Sequence, residues 1–292
     1  MTHRNALLAI HFGALMFGLS GVFGKLAESA PLTITFGRAL FAVLALLLAA
    51  QFLRSSGARP SWRQRGGLLL GGLLLGGHWF TFFVAVKIAG VGIATLGFAS
   101  FPAFTLLLEG VLFRERTRPI EFAMVGLVCA GLLLVTPDFS LASENTVGLL
   151  YGILSGLMFA LLSLLNRAVT RGVDPVQAAL WQNAAIMLGL LPFAWSAIPA
   201  IPAADWLWLV LLGVFCTGLA HSLFVASLEV LKARTTSVIF ALEPVYGIIF
   251  AWWLFNEQPT LGMAAGGALI ILATVITSRL KTTAPPRPVA AS

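Results

Sequence analysis

Charge is what this sequence lacks most. Only 10% of its 292 residues are Asp, Glu, Lys or Arg, while 59% are hydrophobic. A soluble domain of this size carries roughly a quarter charged residues. Spans without formal charge cover 5–24, 66–86, 88–108, 145–166, 175–204, 206–228 and 258–278. Most are about 20 residues long, the length a helix needs to cross a ~30 Å hydrocarbon core. Because the apolar excess runs through the whole chain, a soluble enzyme with one anchor is excluded and a polytopic membrane protein is indicated.

Cysteine is nearly absent too. Cys129 and Cys216 lie apart inside apolar spans, giving neither a disulfide framework nor a metal spacing. They read as small hydrophobes. FGKL at 23–26 lacks the frame of a phosphate-binding loop, and no zinc pattern or Ser/His/Asp set stands at a recognisable spacing. The reading therefore expects no catalytic residue, no cofactor and no metal ion, with any active transport driven by gradients. The net charge of +7 suggests nucleic acid in a soluble chain. Here the basic residues fall between apolar spans, so membrane topology accounts for them and no nucleic-acid partner is expected.

Gly/Pro turns and charge clusters punctuate ten expected helices: 6–27, 31–53, 66–88, 91–113, 119–136, 146–168, 174–197, 205–231, 235–255 and 259–279. The N-terminal apolar run is too long for a signal-peptide core, and Pro31 follows its one small-residue cleavage candidate at Ala30, so it reads as a retained helix. The Pro-rich stretch 282–292 reads as a disordered tail. Of the 18 Lys and Arg residues, 15 fall before helix 1, after helix 10 or in the even-numbered loops, among them Arg4, Arg65, Arg167 and Arg171. The opposite loops hold Glu28, Asp138, Glu144, Asp205 and Glu257. By the positive-inside rule both termini are cytoplasmic.

A repeat runs through the chain. FPAFTLLLEGVLFRE (101–115) aligns without gaps on EPVYGIIFAWWLFNE (243–257), and FGLSGVFGKLA (17–27) on FALLSLLNRAV (159–169). His78 pairs with His221, Lys25 with Arg167, Pro31 with Pro175 and Arg38 with Gln182, all at an offset of 142 to 144 residues. This divides the chain into a first five-helix repeat (1–140), a second (141–281) and the tail 282–292. An odd number of helices per repeat inverts the second half, the architecture of alternating-access transporters with a site near the midplane. The fold expected is thus an all-α polytopic membrane protein of ten transmembrane helices in two inverted repeats.

FGLSGVFGKLAESAPLTITFGRAL (17–40), with its Lys, Pro and Arg, and the two P-x(12)-E segments ending in FRERTRP and FNEQP resemble the EamA-type transporters of the drug/metabolite transporter superfamily. The resemblance covers essentially the whole chain and is nearest to the YddG-type amino-acid exporters of the bacterial inner membrane. It implies ten helices, an alternating cavity and efflux of amino acids, aromatic ones included. Phe101, where the second repeat has Glu243, departs from the symmetry. Two other readings stand beside it. One is exchange of sugar phosphates or nucleotide sugars, which needs several cavity cations. The other is a membrane-embedded lipid-acting enzyme, which needs an acid/base or metal cluster that the sequence does not display.

Candidate site residues follow from polarity at membrane depth. Glu243 costs about 2.5–3.5 kcal/mol to insert, so it faces a cavity or a partner. With Pro244 inside the expected helix 9, the carbonyl of Phe240 loses its donor. The carboxylate suits an α-amino group or a proton, and equally a structural hydrogen bond. His78 follows the glycine-rich GGLLLGGLLLGG (66–77), whose Gly67, Gly72 and Gly76 allow close helix approach. It reads as a carboxylate binder, a proton relay or a structural hydrogen-bonder, with His221 as its repeat equivalent. Arg38 either attracts a carboxylate or pairs with an internal acid such as Glu109. Trp181, Gln182 and Asn183 form a polar-aromatic cluster opposite it, suited to zwitterions or to helix–helix bonding. Trp79, Phe98, Tyr246 and Trp252 supply an aromatic wall, and Ser100 completes the set. Lys25 and Lys87 sit near helix ends and snorkel, and Trp206 and Trp208 read as interfacial. The partners expected are a small-molecule substrate and membrane lipid, for a monomeric chain.

Overall fold

Several helices begin where the sequence offers an oxygen to the free N–H groups of a first turn. Thr2 Oγ1 accepts from Asn5 N, Ser61 and Gln64 form a reciprocal capping box, and Asp174 Oδ1 accepts from Gln177 N at 3.0 Å. The computed structural model describes residues 2–52, 59–112, 119–135, 140–220 and 242–279, with 223, 227, 231 and 239 singly. Among them are ten α-helices and no strand. These are α1 (His3–Leu26), α2 (Pro31–Phe52), α3 (Trp62–Phe98), α4 (Phe101–Leu112), α5 (Pro119–Val135), α6 (Glu144–Val169), α7 (Pro175–Ala194), α8 (Ala203–Val210), α9 (Glu243–Phe255) and α10 (Leu261–Arg279). A 3₁₀ segment, Trp195–Ala200, extends α7, and a π-helical segment, Leu211–Leu219, extends α8.

Five helices (α1, α2, α3, α6 and the extended α7) are long and apolar enough to cross a membrane. The others are apolar but shorter over the described residues. Large side chains such as Leu73, Trp252 and Trp253 point outward, as lipid-facing residues do. The tail 282–292, His221 and Phe240 lie outside the described residues.

Small residues set how closely the helices approach. The most extensive packing joins α3 to α6. A Cβ on Gly97 would lie 2.9 Å from the Leu149 carbonyl oxygen, and one on Gly152 would lie 2.9 Å from that of Ala94, so only glycine fits at this crossing. In the glycine face at 67–76, Gly71, Gly72 and Gly76 pack against Gln182, Ala185 and Ile186 of α7, and Gly67 packs against Val169 of α6.

The helix breaks are where sequence and structure part. Gly90, at φ +83°, kinks the chain inside α3, close to the boundary expected between helices 3 and 4. The expected helix 4 is not continuous, because Ala99 and Ser100 interrupt it and α4 starts afresh at Phe101. Likewise Glu243 and Pro244 do not interrupt a helix: they begin one, with Pro244 in the first turn and Leu242 at the N-cap. Proline is tolerated there because its missing N–H would have had no intrahelical partner. The two starts share their hydrogen bonds 142 residues apart. Ser100 N donates to Gly97 O as Leu242 N does to Ile239 O, and Phe104 N donates to Ser100 O as Tyr246 N does to Leu242 O.

One end of the bundle, where α1 finishes, is tied by carboxylates. Asp205 accepts from Glu28 N (2.9 Å), Ser29 N (2.7 Å) and the Ser29 hydroxyl, fastening the α1–α2 turn to α8. Glu257 pairs with Lys25 and accepts from Val91 N at 3.1 Å, joining α1, the Gly90 break and the end of α9. Lys87 donates to the Ala27 carbonyl. Lys25 and Lys87 therefore do not simply snorkel: each is spent on a polar partner at this end. Asp205→Ala strips the Glu28 and Ser29 N–H groups of their acceptor. It is expected to lower stability by about 1.5–3 kcal/mol, read as a lower melting temperature in detergent, with Asp205→Asn falling in between.

Candidate functional site

A cavity of about 640 Å³ lies between the two halves. Its polar chemistry starts with Arg38, seven residues into α2 and about 10 Å along it. The guanidinium is 4% exposed. Its Nε donates to Thr217 Oγ1 at 2.8 Å and its Nη2 to the Cys216 carbonyl at 3.3 Å. The chain is π-helical there: Ala220 N donates to Phe215 O and Thr217 O rather than to Cys216 O, its α-helical acceptor. The face of Arg38 lies over the Trp79 ring, 4.0 Å from its centroid. Arg38 does not pair with Glu109, as one reading of the sequence has it. Glu109 is taken by Arg167 at 2.7 Å, on the neighbouring α6.

Glu243 lines the same cavity and interacts electrostatically with Arg38. It forms no ion pair among the described residues. Being the first residue of α9, it sits where unpaired N–H groups and the helix dipole favour negative charge. The cavity thus holds a guanidinium and a carboxyl group facing one space with no ion pair between them.

His78 sits in an aromatic box, its ring 4.9 Å from Phe98, 5.0 Å from Phe159 and 6.4 Å from Phe82. The Ser155 hydroxyl donates to the His78 carbonyl at 3.1 Å, so its free lone pair faces His78 Nδ1 at 2.7 Å. Nδ1 therefore carries the proton in the neutral ring, which leaves Nε2 as the basic nitrogen. Phe101 stacks on Phe98 at 5.3 Å and meets Phe159 edge-on at 5.2 Å, extending the apolar wall.

Among the described residues, two buried polar atoms have no hydrogen-bond partner, Ser20 Oγ and Asn183 Oδ1, and both residues line the cavity. Ser20 stands beside the weakly bonding Cys216 thiol. Asn183 is 2% exposed, its Nδ2 donating to Ala179 O at 2.9 Å. Unpaired buried oxygens in a cavity wall mark where a ligand or water completes the bonding.

The sequence profile of the EamA-like transporter family matches residues 4–136 and matches again over 146–279. The chain belongs to that family. An uncharacterised transporter of Archaeoglobus fulgidus is 26% identical over 93% of this chain and 95% of its own. The pseudopaline exporter of Pseudomonas aeruginosa is 24% identical over 89% and 92%, respectively. A riboflavin transporter of Brucella anthropi is 25% identical over 61% of this chain and 64% of its own. A crystal structure covering 94% of this chain superposes with a TM-score of 0.64 at 20% identity, a likeness of fold. This EamA-like protein is a multi-pass membrane transporter.

Of the residues singled out from the transporter's sequence, the cavity brings together Glu243, His78, Trp79, Phe98, Gln182, Asn183 and Arg38. Three others are used elsewhere. Trp181 packs with Leu68, Val173 and Ala178 under the Arg65 guanidinium. The Tyr246 hydroxyl meets His11 Nδ1 at 3.3 Å, with its ring against Ala6, Ile10 and Ala14. Ser100 Oγ donates to Gly97 O at 2.7 Å and secures the break before α4. Trp252 is exposed on the outer surface, away from the proposed aromatic wall. Trp206 and Trp208 pack on Phe41 and Phe23. Sequence reasoning missed Ser20, Ser155, Phe159 and Thr217, because a serine, threonine or phenylalanine in an apolar helix carries no signal until a partner is known.

Two buried serines should respond in opposite ways. Ser155→Ala removes the partner of His78 Nδ1 and is expected to destabilise by about 1–3 kcal/mol. Ser20→Ala deletes an unsatisfied hydroxyl and should leave the detergent melting temperature unchanged or raise it. Equal losses for both would contradict this bonding scheme.

Proposed function

We propose that this transporter exports amino acids, aromatic and other apolar ones included, or similar small zwitterionic metabolites by alternating access. The observation that carries the reading is the separated charge pair. Arg38 is a donor for a substrate carboxylate, Glu243 is an acceptor for its ammonium group, and the wall of Trp79, Phe98 and Phe101 packs its apolar side chain. The resemblance to YddG-type amino-acid exporters agrees with it. So do two relatives named for moving small organic molecules, an exporter of pseudopaline and a transporter of riboflavin.

The architecture in this reading is ten membrane spans in two inverted repeats, 1–140 and 141–281, with both termini cytoplasmic in a bacterial inner membrane. Support comes from the double match of one family profile, from the duplicated hydrogen bonds at the starts of α4 and α9, and from the Lys/Arg asymmetry of the loops. Interrupted helices at the centre of a repeat pair are where transporter sites form. Exchange of phosphorylated sugars fits less well. Among the described residues lining the cavity Arg38 is the one permanent cation, and Glu243 and Glu109 would repel phosphate.

The test is counterflow of labelled amino acids in proteoliposomes holding the purified chain. Phenylalanine or another apolar amino acid is expected to accumulate, and Glu243→Gln and Arg38→Gln are each expected to reduce the rate at least about tenfold, the worth of one charge-assisted hydrogen bond. No movement of any amino acid would defeat the substrate assignment.

A further inference from the structure

The cavity is longer than a single amino acid requires. Two parallel helices measure it. Phe101 of α4 touches Phe159 of α6, and eight residues further along each helix Glu109 pairs with Arg167. Eight residues of α-helix span about 12 Å. Phe101 also stacks on Phe98, whose ring is 4.9 Å from that of His78, and Trp79, the next residue, lies under Arg38. The inner charges, Arg38 and Glu243, therefore stand near the aromatic level, while a second pair of opposite charges stands about 12 Å away.

Each end also has its own buried oxygen in need of a partner. Ser20 lies two residues from Gly18, whose added Cβ would sit 3.0 Å from the Glu243 carbonyl oxygen, so Ser20 Oγ belongs to the inner end. Asn183 follows Gln182, whose Nε2 donates to Asn166 Oδ1 at 2.6 Å, one residue from Arg167. Asn183 therefore stands at the level of the outer half. Between the ends α4 and α6 present Thr105, Leu106, Leu162 and Ser163, while the aromatic rings stand at the inner end. Polar groups at both ends of a cavity about 12 Å long are the complement of an elongated molecule with a polar group at each end.

We infer that the cavity prefers an elongated zwitterion of two to three residues' length, a short peptide or an amino acid extended by a substituent, over a free amino acid. This rests on the export reading above and narrows its substrate class. An extended chain spans about 3.3–3.6 Å per residue, so three residues reach from Arg38 and Glu243 to Glu109 and set a side chain near the inner end against Phe98, Phe101 and Phe159. A free amino acid engages one end and leaves the other to water.

The experiment is competition against counterflow of labelled phenylalanine by the purified, reconstituted protein. The competitors are unlabelled phenylalanine, the tripeptide alanyl-phenylalanyl-alanine, and that tripeptide acetylated or amidated at its ends. The free tripeptide is expected to half-inhibit at a concentration at least about tenfold below phenylalanine, and blocking either end should remove that advantage, as loss of a charge-assisted bond does. In Glu109→Gln the ratio of the two half-inhibitory concentrations should fall toward one, whatever happens to the overall rate. Blocked peptides probe the unaltered protein, so a variant that fails to fold does not decide the matter. If phenylalanine moves and the tripeptide competes no better, or the blocked forms compete equally well, this inference is wrong while the export reading stands. If neither phenylalanine nor peptide is recognised, both fall.

Discussion

The polar interior of this transporter depends on how Arg38 is held. A guanidinium buried among apolar helices needs acceptors, and lipid-facing helices have none to spare, since their carbonyls are bonded within the helix. The chain supplies one by passing through a π-helical stretch, so that Ala220 bonds to Phe215 and the Cys216 carbonyl is left for Arg38. Thr217 supplies the second acceptor from the same stretch, its hydroxyl donating in turn to Leu212 O at 2.9 Å. Gly213 makes the approach possible, since a Cβ there would lie 2.7 Å from the Arg38 carbonyl oxygen. One irregular segment of α8 thus fixes the cation of the cavity, and the ring of Trp79 closes over its face.

Glu243 illustrates the same economy with backbone from the other side. Met in sequence, it is an acid beside a proline in a long apolar run, which reads as a disturbed helix. In the structure the disturbance is a beginning: the free N–H groups of a new helix accompany the carboxylate, and proline fills the turn where no donor is needed. Its repeat partner Phe101 begins α4 in the same way but brings a ring to the wall instead of a charge. One duplicated backbone device therefore yields two chemistries, an anion from one half and an aromatic surface from the other.

This explains what the sequence made legible. Helix number, the glycine face of α3 and the shared offset of the two halves follow from periodicity and composition, which are local quantities. So does the selection of Arg38, His78, Gln182 and Glu243, because a polar group at membrane depth is conspicuous by its cost. Partners were not legible. Whether Arg38 meets Glu109 or Thr217, and whether Tyr246 faces the cavity or His11, depends on helix rotation, and a tilt of one residue changes the answer. The breaks at Ser100 and Leu242 were hidden for a related reason: their flanking residues are as apolar as any helix interior, and only tertiary packing shows that the backbone ladder stops there.

The ion pairs add a last step. Lys25 and Arg167 occupy equivalent places in the repeat, and symmetry would give them equivalent acids, Glu257 and Glu115. Lys25 does take Glu257, at the bundle end where Asp205 also fastens the α1–α2 turn. Arg167 pairs with Glu109, a cavity residue, while Glu115 lies outside the described residues. The first pair is part-buried and the second exposed. Under the proposed alternating access, two pairs of unequal burial need not part together.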